Sequence, residues 1–203
     1  MKPQPGEKML DIGGGTGEYV ATLIVPGLRV TVGDVDPDQV AIAAQKPGID
    51  AVLLPAIGSL PFGDQEFDIV FCNSVIEHAT GPKHEVAATL DDKKFQRMAE
   101  NHQRALAQEI QRVGKRHFVQ TPNKHFLIES HSWLPFPFSI LSRRHQLGIL
   151  RFIGGFWPKR TAGDWHLFTQ RRLQNYFPQS RIIVERFLGM PKSFILIGPG
   201  SGS

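Results

Sequence analysis

Short apolar runs alternate with longer polar segments of helical spacing through the N-terminal half of the chain. Such alternation is typical of strands that pair in parallel and are joined by helices. The apolar runs predict five buried parallel strands, at residues 8–12, 29–34, 51–54, 67–73 and 117–121. The pattern therefore predicts an α/β fold with a doubly wound, mostly parallel sheet.

Helices are predicted between these strands. One follows Gly17 and ends before Pro26, and the longest covers 93–113. Another begins near Pro37, because Asp36 is a good N-cap and proline is favoured in the first turn. Each helix would cross over from one strand to the next, as a parallel sheet requires.

The C-terminal half has a different texture. Residues 124–168 are rich in aromatic residues, proline and glycine without a regular period, and predict an insertion or lid with a short helix near 138–144. The elements predicted after it are a helix and two strands, at 169–177, 181–187 and 193–197. The Gly/Ser-rich residues 198–203 predict a flexible tail. We interpret residues 1–203 as one domain with this insertion inside it.

Composition narrows the class of protein. Hydrophobic residues make up 41% and charged residues 21% of the 203 residues, as in soluble globular proteins. The single cysteine, Cys72, excludes an intramolecular disulfide, favours a reducing compartment and lies in an apolar run typical of core packing. The polar start has no signal-peptide core, and no apolar run approaches the roughly 20 residues of a membrane span. We expect a cytoplasmic protein.

The net charge of +4 is a mild excess that does not by itself indicate a nucleic-acid partner. Its distribution is uneven, since Asp164 is nearly the only acid in a basic C-terminal stretch. The basic residues there are Arg143, Arg144, Arg151, Lys159, Arg160, Arg171 and Arg172. Two interpretations stay open: a solvated basic face, or a surface for an anionic partner or substrate.

The strongest local motif lies at residues 9–18, where an apolar strand runs into a glycine-rich turn and then a helix. Glycine allows positive φ and a close approach of the backbone to a ligand, and a helix N-terminus offers free N–H groups. A dinucleotide fingerprint requires Gly-x-Gly-x-x-Gly, which would place its last glycine at Glu18. The spacing here is Gly-x-Gly-x-Gly, with Asp11 two residues before the first glycine.

Further polar residues follow other strands. Asp34 ends the second strand, where a carboxylate can accept both hydroxyls of a ribose. The segment 73–78, Asn-Ser-Val-Ile-Glu-His, follows the fourth strand. Because ligands of open α/β sheets bind outside the carboxyl ends of the strands, one crevice can hold these groups together with Asp11.

These ordered motifs resemble those of class I S-adenosylmethionine (SAM)-dependent methyltransferases, in particular the group that includes quinone-biosynthesis enzymes. The resemblance is carried by residues 11–17, 34–37, 60–62, 67–68, 73–78, 112–114 and 121–123. It implies a Rossmann-like sheet with an antiparallel last strand, SAM as cofactor and S-adenosylhomocysteine as product. It also implies that the cofactor is bound by Asp11, Gly13, Gly14, Gly15, Gly17, Asp34, Val35, Ile57 and Asn73.

By the same resemblance, Asp34 would hold the ribose hydroxyls, Val35 would pack on the adenine, and Asn73 would lie beneath the sulfonium. Simpler interpretations are a tight strand–helix turn for the glycines and a helix cap for Asp34. The chain departs from the family at 56–57, where relatives carry Asp-Ala and this chain has Ala-Ile. Recognition of adenine would then fall to backbone groups and Ile57.

A second departure is that the chain begins almost at the first strand, whereas relatives usually have helices before it. Either this sequence is a truncated piece of a longer chain, or residues 124–168 or another subunit supply the cover of the cofactor. Apolar surface left exposed in this way favours self-association, so a homo-oligomer is one hypothesis.

Catalysis of methyl transfer requires alignment, exclusion of water and, for an acceptor that carries a proton, a general base. His78 is the first candidate because imidazole titrates near neutral pH, although a structural role for the Glu77-His78 pair is the stronger interpretation. Glu129 and His131 are a second candidate pair, with loop hydrogen bonding as the alternative. No metal is expected, because Ser74 replaces the first acid of the Glu-x-x-Glu-His pattern of some quinone O-methyltransferases.

Aromatic residues of the insertion could wall an apolar acceptor pocket or rest on an anionic membrane surface, with ordinary core packing as the default interpretation for most of them. The candidates are Trp133, Phe136, Phe138, Phe156 and Trp157, with Trp165 and His166 as further contacts. We expect a methyltransferase for a small-molecule, lipid or glycan-precursor acceptor, with nucleic acid not expected as partner. The alternatives are a catalytically silent methyltransferase-like assembly module and a nicotinamide-dependent enzyme.

Overall fold

The computed structural model describes residues 2–159 and 161–199. Its sheet has seven strands: β1 (Lys8–Ile12), β2 (Arg29–Asp34), β3 (Ile49–Leu53), β4 (Ile69–Asn73), β5 (Arg116–Pro122), β6 (Arg181–Phe187) and β7 (Met190–Pro199). The strand order is β3-β2-β1-β4-β5-β7-β6. The first five strands pair in parallel, while β7 is antiparallel to both β5 and β6. The predicted fold class is confirmed.

Six α-helices are described: α1 (Glu18–Ala21), α2 (Pro37–Ala43), α3 (Lys83–Ala88), α4 (Asp92–Val113), α5 (Arg143–Ile153) and α6 (Gln170–Tyr176). Helix α2 begins as predicted, since the Asp36 side chain accepts from the Asp38 N–H at 3.0 Å. Helix α1 is shorter than predicted and has a single turn. No described helix has the length and apolar character that crossing a bilayer requires.

Two hydrophobic clusters pack against the sheet. Met9 and Leu10 are neighbours in β1 and belong to different clusters, as expected when alternate side chains point to opposite faces. The cluster of Leu10 includes Ala107 and Ile110 of α4, and that of Met9 includes Val20 of α1. Because both faces of the sheet are covered, we look for a ligand site at the carboxyl ends of the strands.

Cys72 and the tail test two smaller predictions. Cys72 is fully buried within the cluster that contains Leu10, so the prediction of core packing is confirmed. The prediction of a flexible tail is wrong at Gly198 and Pro199, which pair with β5 as part of β7. Residues 200–203 lie outside the described residues.

Arg143 joins the insertion to the rest of the molecule. It is only 3% exposed, and its guanidinium donates to the carbonyls of Val86, Thr89 and Gly163 at 2.7–2.9 Å. It also lies 3.6 Å from the ring centroid of Phe95. A basic surface was one interpretation of this stretch, and it is wrong for Arg143, whose charge is satisfied inside the protein.

The remaining basic residues of the stretch differ among themselves. Arg144, Arg151 and Arg171 are exposed. Arg172 is half-buried over the ring of Phe168, and Arg160 lies outside the described residues. The hypothesis of an anionic partner therefore depends on a smaller set of cations than the sequence suggested.

Candidate cofactor and acceptor site

The glycine turn after β1 needs glycine for two different reasons. At Gly13 (φ +69°) a Cβ atom would lie 2.5 Å from Cγ2 of Val75, too close for any other side chain. At Gly15 (φ +56°) the only nearby atom would be Oε1 of Gln39, at 3.5 Å, so that side of the turn is open. A backbone bend with one open side can admit a ligand.

Asp34 ties the end of β2 to this turn. Its Oδ2 accepts from the Gly15 N–H at 2.9 Å, and its Oδ1 accepts from the Asp36 N–H at 3.0 Å. Asp36 itself caps α2, so the interpretation of Asp34 as a helix cap is wrong. The half-buried carboxylate keeps lone pairs with which it can accept hydroxyl groups from a ligand.

Two apolar side chains that follow β2 and β3 are exposed. Val35 is 46% exposed, and Ile57, which follows β3, is 48% exposed. Large apolar side chains exposed at a strand end provide a surface for a planar, weakly polar ring. Their role beside an adenine stays a prediction.

Asp11 and Asn73 complete the group at the strand ends. Asp11 is 3% exposed, and burial, followed by the charge of Asp34, raises its pKa from 3.8 to about 7. A Cβ at Gly14 would lie 2.4 Å from Oδ2 of Asp11, so this carboxyl group also requires a glycine beside it. Asn73 is partly exposed at the end of β4, where it pairs with Gln120 of β5.

The candidate catalytic residues lie in one cluster on the insertion side of β4. Glu77 and His78 belong to a 3₁₀ turn (Ile76–His78), and His131 comes from the insertion. The imidazoles of His78 and His131 meet edge to face with 4.6 Å between ring centroids. Nδ1 of His131 lies 2.9 Å from Oε1 of Glu129, so the expected contact of this pair is present.

Carboxylates determine the charge state of His131. Burial lowers its pKa, but the hydrogen bond to Glu129 and the charge of Glu77 outweigh that effect and raise the pKa to about 9. Glu129 is buried, which raises its pKa, yet hydrogen bonds from His131 and Ser132 lower it overall. An imidazolium between two carboxylates is an ion pair, not a free base.

Two members of the cluster were missed in the sequence. Nδ1 of His78 lies 3.3 Å from Oδ1 of Asp164, and Thr121 donates to Oε2 of Glu77 at 2.9 Å. The sequence contained one signal for Asp164, which is nearly alone as an acid in a basic stretch. Trp165, predicted as a further contact, stacks on His131 with 5.0 Å between centroids.

A cavity of about 460 Å³ opens where β4 and β5 end. Its apolar walls are Phe126, Ile128, Trp133 and Phe187, and its polar lining includes Ser74, Gln120, Asn123, Ser130, Lys192 and Ser193. Ser74 and Trp133 have positive φ, 56° and 59°, which is strained backbone of the kind found at functional sites.

Among the aromatic residues expected to wall a pocket, only Trp133 lines this cavity. Phe138 is buried, and Trp157 is held by the Ser132 carbonyl, to which its Nε1 donates at 2.7 Å. Phe136 and Phe156 are exposed. Four of the five residues therefore do not line this cavity, whose aromatic walls include Phe126 and Phe187 instead.

Three features together define a class I SAM-dependent methyltransferase. They are the antiparallel β6–β7 hairpin at the end of a parallel sheet, the glycine turn after β1 and the acid that ends β2. The family model described as a methyltransferase domain matches residues 10–117, just over half of the chain. The chain belongs to that family, and SAM is the cofactor that membership implies. Membership also makes the chain an enzyme, which weighs against the silent module and the nicotinamide-dependent enzyme.

Individual relatives agree with this class. Malonyl-[acyl-carrier protein] O-methyltransferase of Serratia marcescens is 36% identical over 73 residues, which cover 36% of this chain and 29% of that protein. The match thus spans less than a third of the relative's length.

Solved structures show the same fold. A SAM-dependent methyltransferase from Methanosarcina mazei aligns with a TM-score of 0.60 at 17% identity, covering 98% of this chain and 94% of that one. A TehB-like SAM-dependent methyltransferase from Corynebacterium glutamicum aligns with a TM-score of 0.52 at 13% identity, covering 98% and 83%.

Proposed function

We propose that this chain transfers a methyl group from SAM, bound over the glycine turn and Asp34, to an acceptor in the cavity beside Trp133. The observation that carries the proposal is that the predicted cofactor site and the cavity meet at neighbouring residues. Ser74 follows Asn73 directly, lines the cavity, and donates from Oγ to Oε1 of Gln120 at 2.7 Å. A cofactor whose reactive end lies at Asn73 therefore faces the cavity mouth.

When bound, SAM supplies a methyl group on a sulfonium: transfer breaks the sulfur–carbon bond, forms a bond from that carbon to the acceptor, and releases S-adenosylhomocysteine, together with a proton when the acceptor atom carries one. The task of the protein is to hold the acceptor atom and the methyl carbon about 3–3.5 Å apart and to exclude water. The Asp34 carboxylate positions the ribose end. Val35 and Ile57 provide the apolar surface for the adenine.

The lining of the cavity indicates the chemistry of the acceptor. Four aromatic or aliphatic walls favour an apolar body, and the serine, asparagine and glutamine side chains at one end favour a polar reactive group. A small molecule or lipid-like acceptor with an oxygen or nitrogen nucleophile fits both. The Serratia relative suggests a carboxylate on a carrier-bound acyl chain as one member of this class.

The candidate bases stay predictions. His78, held by Asp164, and His131, held by Glu129, lie beside the cavity rather than in its wall. Their neighbours Ser130 and Trp133 line it.

A peripheral membrane contact also stays a prediction, with support from α5. Arg144, Arg151 and Phe152 occupy its exposed face, Phe152 being 79% exposed. Cations beside a protruding aromatic ring suit the surface of an anionic bilayer. Self-association is the other untested hypothesis for exposed apolar residues.

The acceptor proposal can be tested with methyl-labelled SAM and three acceptor types: a malonyl-loaded acyl carrier protein, a phenolic quinone precursor and a lipid-linked sugar. With the acceptor that gives product, Trp133→Ala is expected to raise KM about tenfold or more while SAM affinity stays unchanged, because a cavity wall is lost. Leu90→Ala, at an exposed apolar position between α3 and α4, is the matched control. An unchanged KM in Trp133→Ala would contradict the proposal that the acceptor binds in this cavity.

A further inference from the structure

Glu77, His78 and His131 bring three coordinating atoms together. One atom from each side chain lies within 4.8 Å of the other two. Two of the residues are neighbours in the 3₁₀ turn after β4, while His131 comes from the insertion, more than fifty residues away in the chain. Local sequence spacing could not have revealed this combination.

The side chain of Glu77 gives the first indication that this cluster binds a ligand. Its side chain is fully buried, and Oε1 has no hydrogen-bond partner, whereas Oε2 accepts from Thr121. A buried carboxylate oxygen without a partner is costly. Nε2 of His131 lies 3.6 Å away, close enough for an ion pair but too far for a hydrogen bond.

That distance suits two ligands of one ion. Ligands about 2.0–2.2 Å from a tetrahedral metal lie about 3.3–3.6 Å from each other. Oε1 of Glu77 and Nε2 of His131 therefore already have the separation that a shared cation requires, and a small movement of His78 would complete the set.

The carboxylates that contact the two imidazoles also support a metal site. Nδ1 of His78 lies against Asp164 and Nδ1 of His131 against Glu129, at 3.3 and 2.9 Å. Histidines that bind metals commonly donate their second ring N–H to a carboxylate, which fixes the ring and leaves Nε2 to the ion. Here both imidazoles have such a carboxylate, and Nε2 of His131 faces Oε1 of Glu77, so a bound ion would replace the proton that this nitrogen carries in the ion pair.

We propose that Glu77, His78 and His131 form a binding site for one divalent transition-metal ion. Two imidazoles and one carboxylate are the ligands of Zn²⁺ and its first-row neighbours, whereas Mg²⁺ prefers an oxygen shell. The expectation of no metal, which rested on Ser74, is revised because the insertion supplies the third ligand. The role of the ion, unlike its binding, rests on the proposed function: the ion would act as a Lewis acid toward an oxygen atom of the acceptor.

The test is a titration of chelator-treated protein with Zn²⁺ by calorimetry and with Co²⁺ by visible absorption. We expect one ion per chain, micromolar affinity or tighter, and the intense d–d bands of a low-coordinate cobalt site. Glu77→Gln and His131→Gln are expected to weaken binding about 100-fold or more because each removes a ligand. Glu129→Gln is expected to weaken it about 10- to 100-fold through the orientation of His131.

His84→Gln is the matched control, because its imidazole on α3 is 84% exposed and adventitious binding to a surface histidine would be lost there. SAM affinity and the circular dichroism spectrum of each variant show that it is folded. Absence of binding tighter than about 100 μM by the unchanged chain would overturn the proposal and leave His131 as the only cation of the cluster. Wild-type affinity in both His131→Gln and Glu129→Gln would also overturn it. Intact SAM binding in either case would leave the proposed function standing.

Discussion

The crevice at the ends of β1 and β2 and the insertion over 124–168 are built in different ways. Backbone groups build the crevice: Gly13 N–H donates to the Gly33 carbonyl, and Gly15 N–H donates to Asp34. A single long side chain fixes the insertion: Arg143 reaches the carbonyls of Val86 and Thr89 outside it and that of Gly163 within it. A backbone turn imposes residue types that can be recognised in a sequence, whereas one side chain that crosses the molecule does not.

The largest expected effect belongs to Arg143. Arg143→Ala would leave three buried carbonyls without their donor, and we expect a loss of about 3–5 kcal/mol in the free energy of unfolding. The neighbouring Arg144→Ala, at an exposed position, should change it by less than about 0.5 kcal/mol. Urea denaturation of both variants measures this difference. Equal losses of unfolding free energy in the two variants would contradict the structural role of Arg143. A loss of SAM-binding free energy in Arg143→Ala as large as its loss of stability would contradict the separation of the crevice from the insertion.

Asp11 gives a smaller effect with a defined pH dependence. The unfolded chain ionises this carboxyl group near pH 4 and the folded chain near pH 7, so stability falls as the pH rises between these values and is level above them. Asp11→Asn removes that cost. It should match the parent protein at pH 4 and be more stable by about 1–3 kcal/mol at pH 8.

The same variant should bind SAM more weakly, since a carboxylate in the crevice favours a cationic ligand. Thermal unfolding from pH 4 to 8, with and without SAM, follows both quantities. A constant difference in stability across this pH range would contradict the buried, shifted carboxyl group.

Gly148 gives the smallest effect and tests how tolerant the insertion is. A Cβ at this position in α5 would meet no atom within 4 Å. Gly148→Ala should therefore stabilise the protein by about 0.5–1 kcal/mol. Gly58→Ala has equal space but φ of +100°, and should lose about 1 kcal/mol to backbone strain. Differential scanning calorimetry should show that Gly148→Ala raises the melting temperature and Gly58→Ala lowers it. Shifts of the same sign in both variants would contradict the difference in backbone strain between the two positions.

The sequence predicted the features that depend on local chemistry. Asp36 and Pro37 predicted the start of α2, because a capping carboxylate and a fixed φ act within one turn. The contact of Glu129 with His131 was predicted for the same reason, since the two residues are two apart. Helix α4 begins one residue earlier than predicted, because Asp91 caps it through the Lys94 N–H.

Contacts between distant segments could not be predicted. His78 and Asp164 are 86 residues apart, and nothing in either segment indicates the other. The wall of the cavity depends on Phe126 and Phe187, which lie in different elements and meet edge to face at 6.3 Å. Arg143, rather than another arginine of the basic stretch, is buried because two of its three carbonyl partners, those of Val86 and Thr89, lie far away in the sequence.

The most direct test of the central claim is calorimetric titration of SAM and of NAD into the parent protein, Asp34→Ala and the exposed control Asp38→Ala. We predict one SAM site and no heat with NAD. Asp34→Ala should bind at least about 100-fold more weakly, because two charge-assisted hydrogen bonds to the ribose contribute about 1.5–3 kcal/mol each, and Asp38→Ala should bind within about twofold of the parent. An absence of SAM binding by the parent, or an unchanged affinity in Asp34→Ala, would contradict the account.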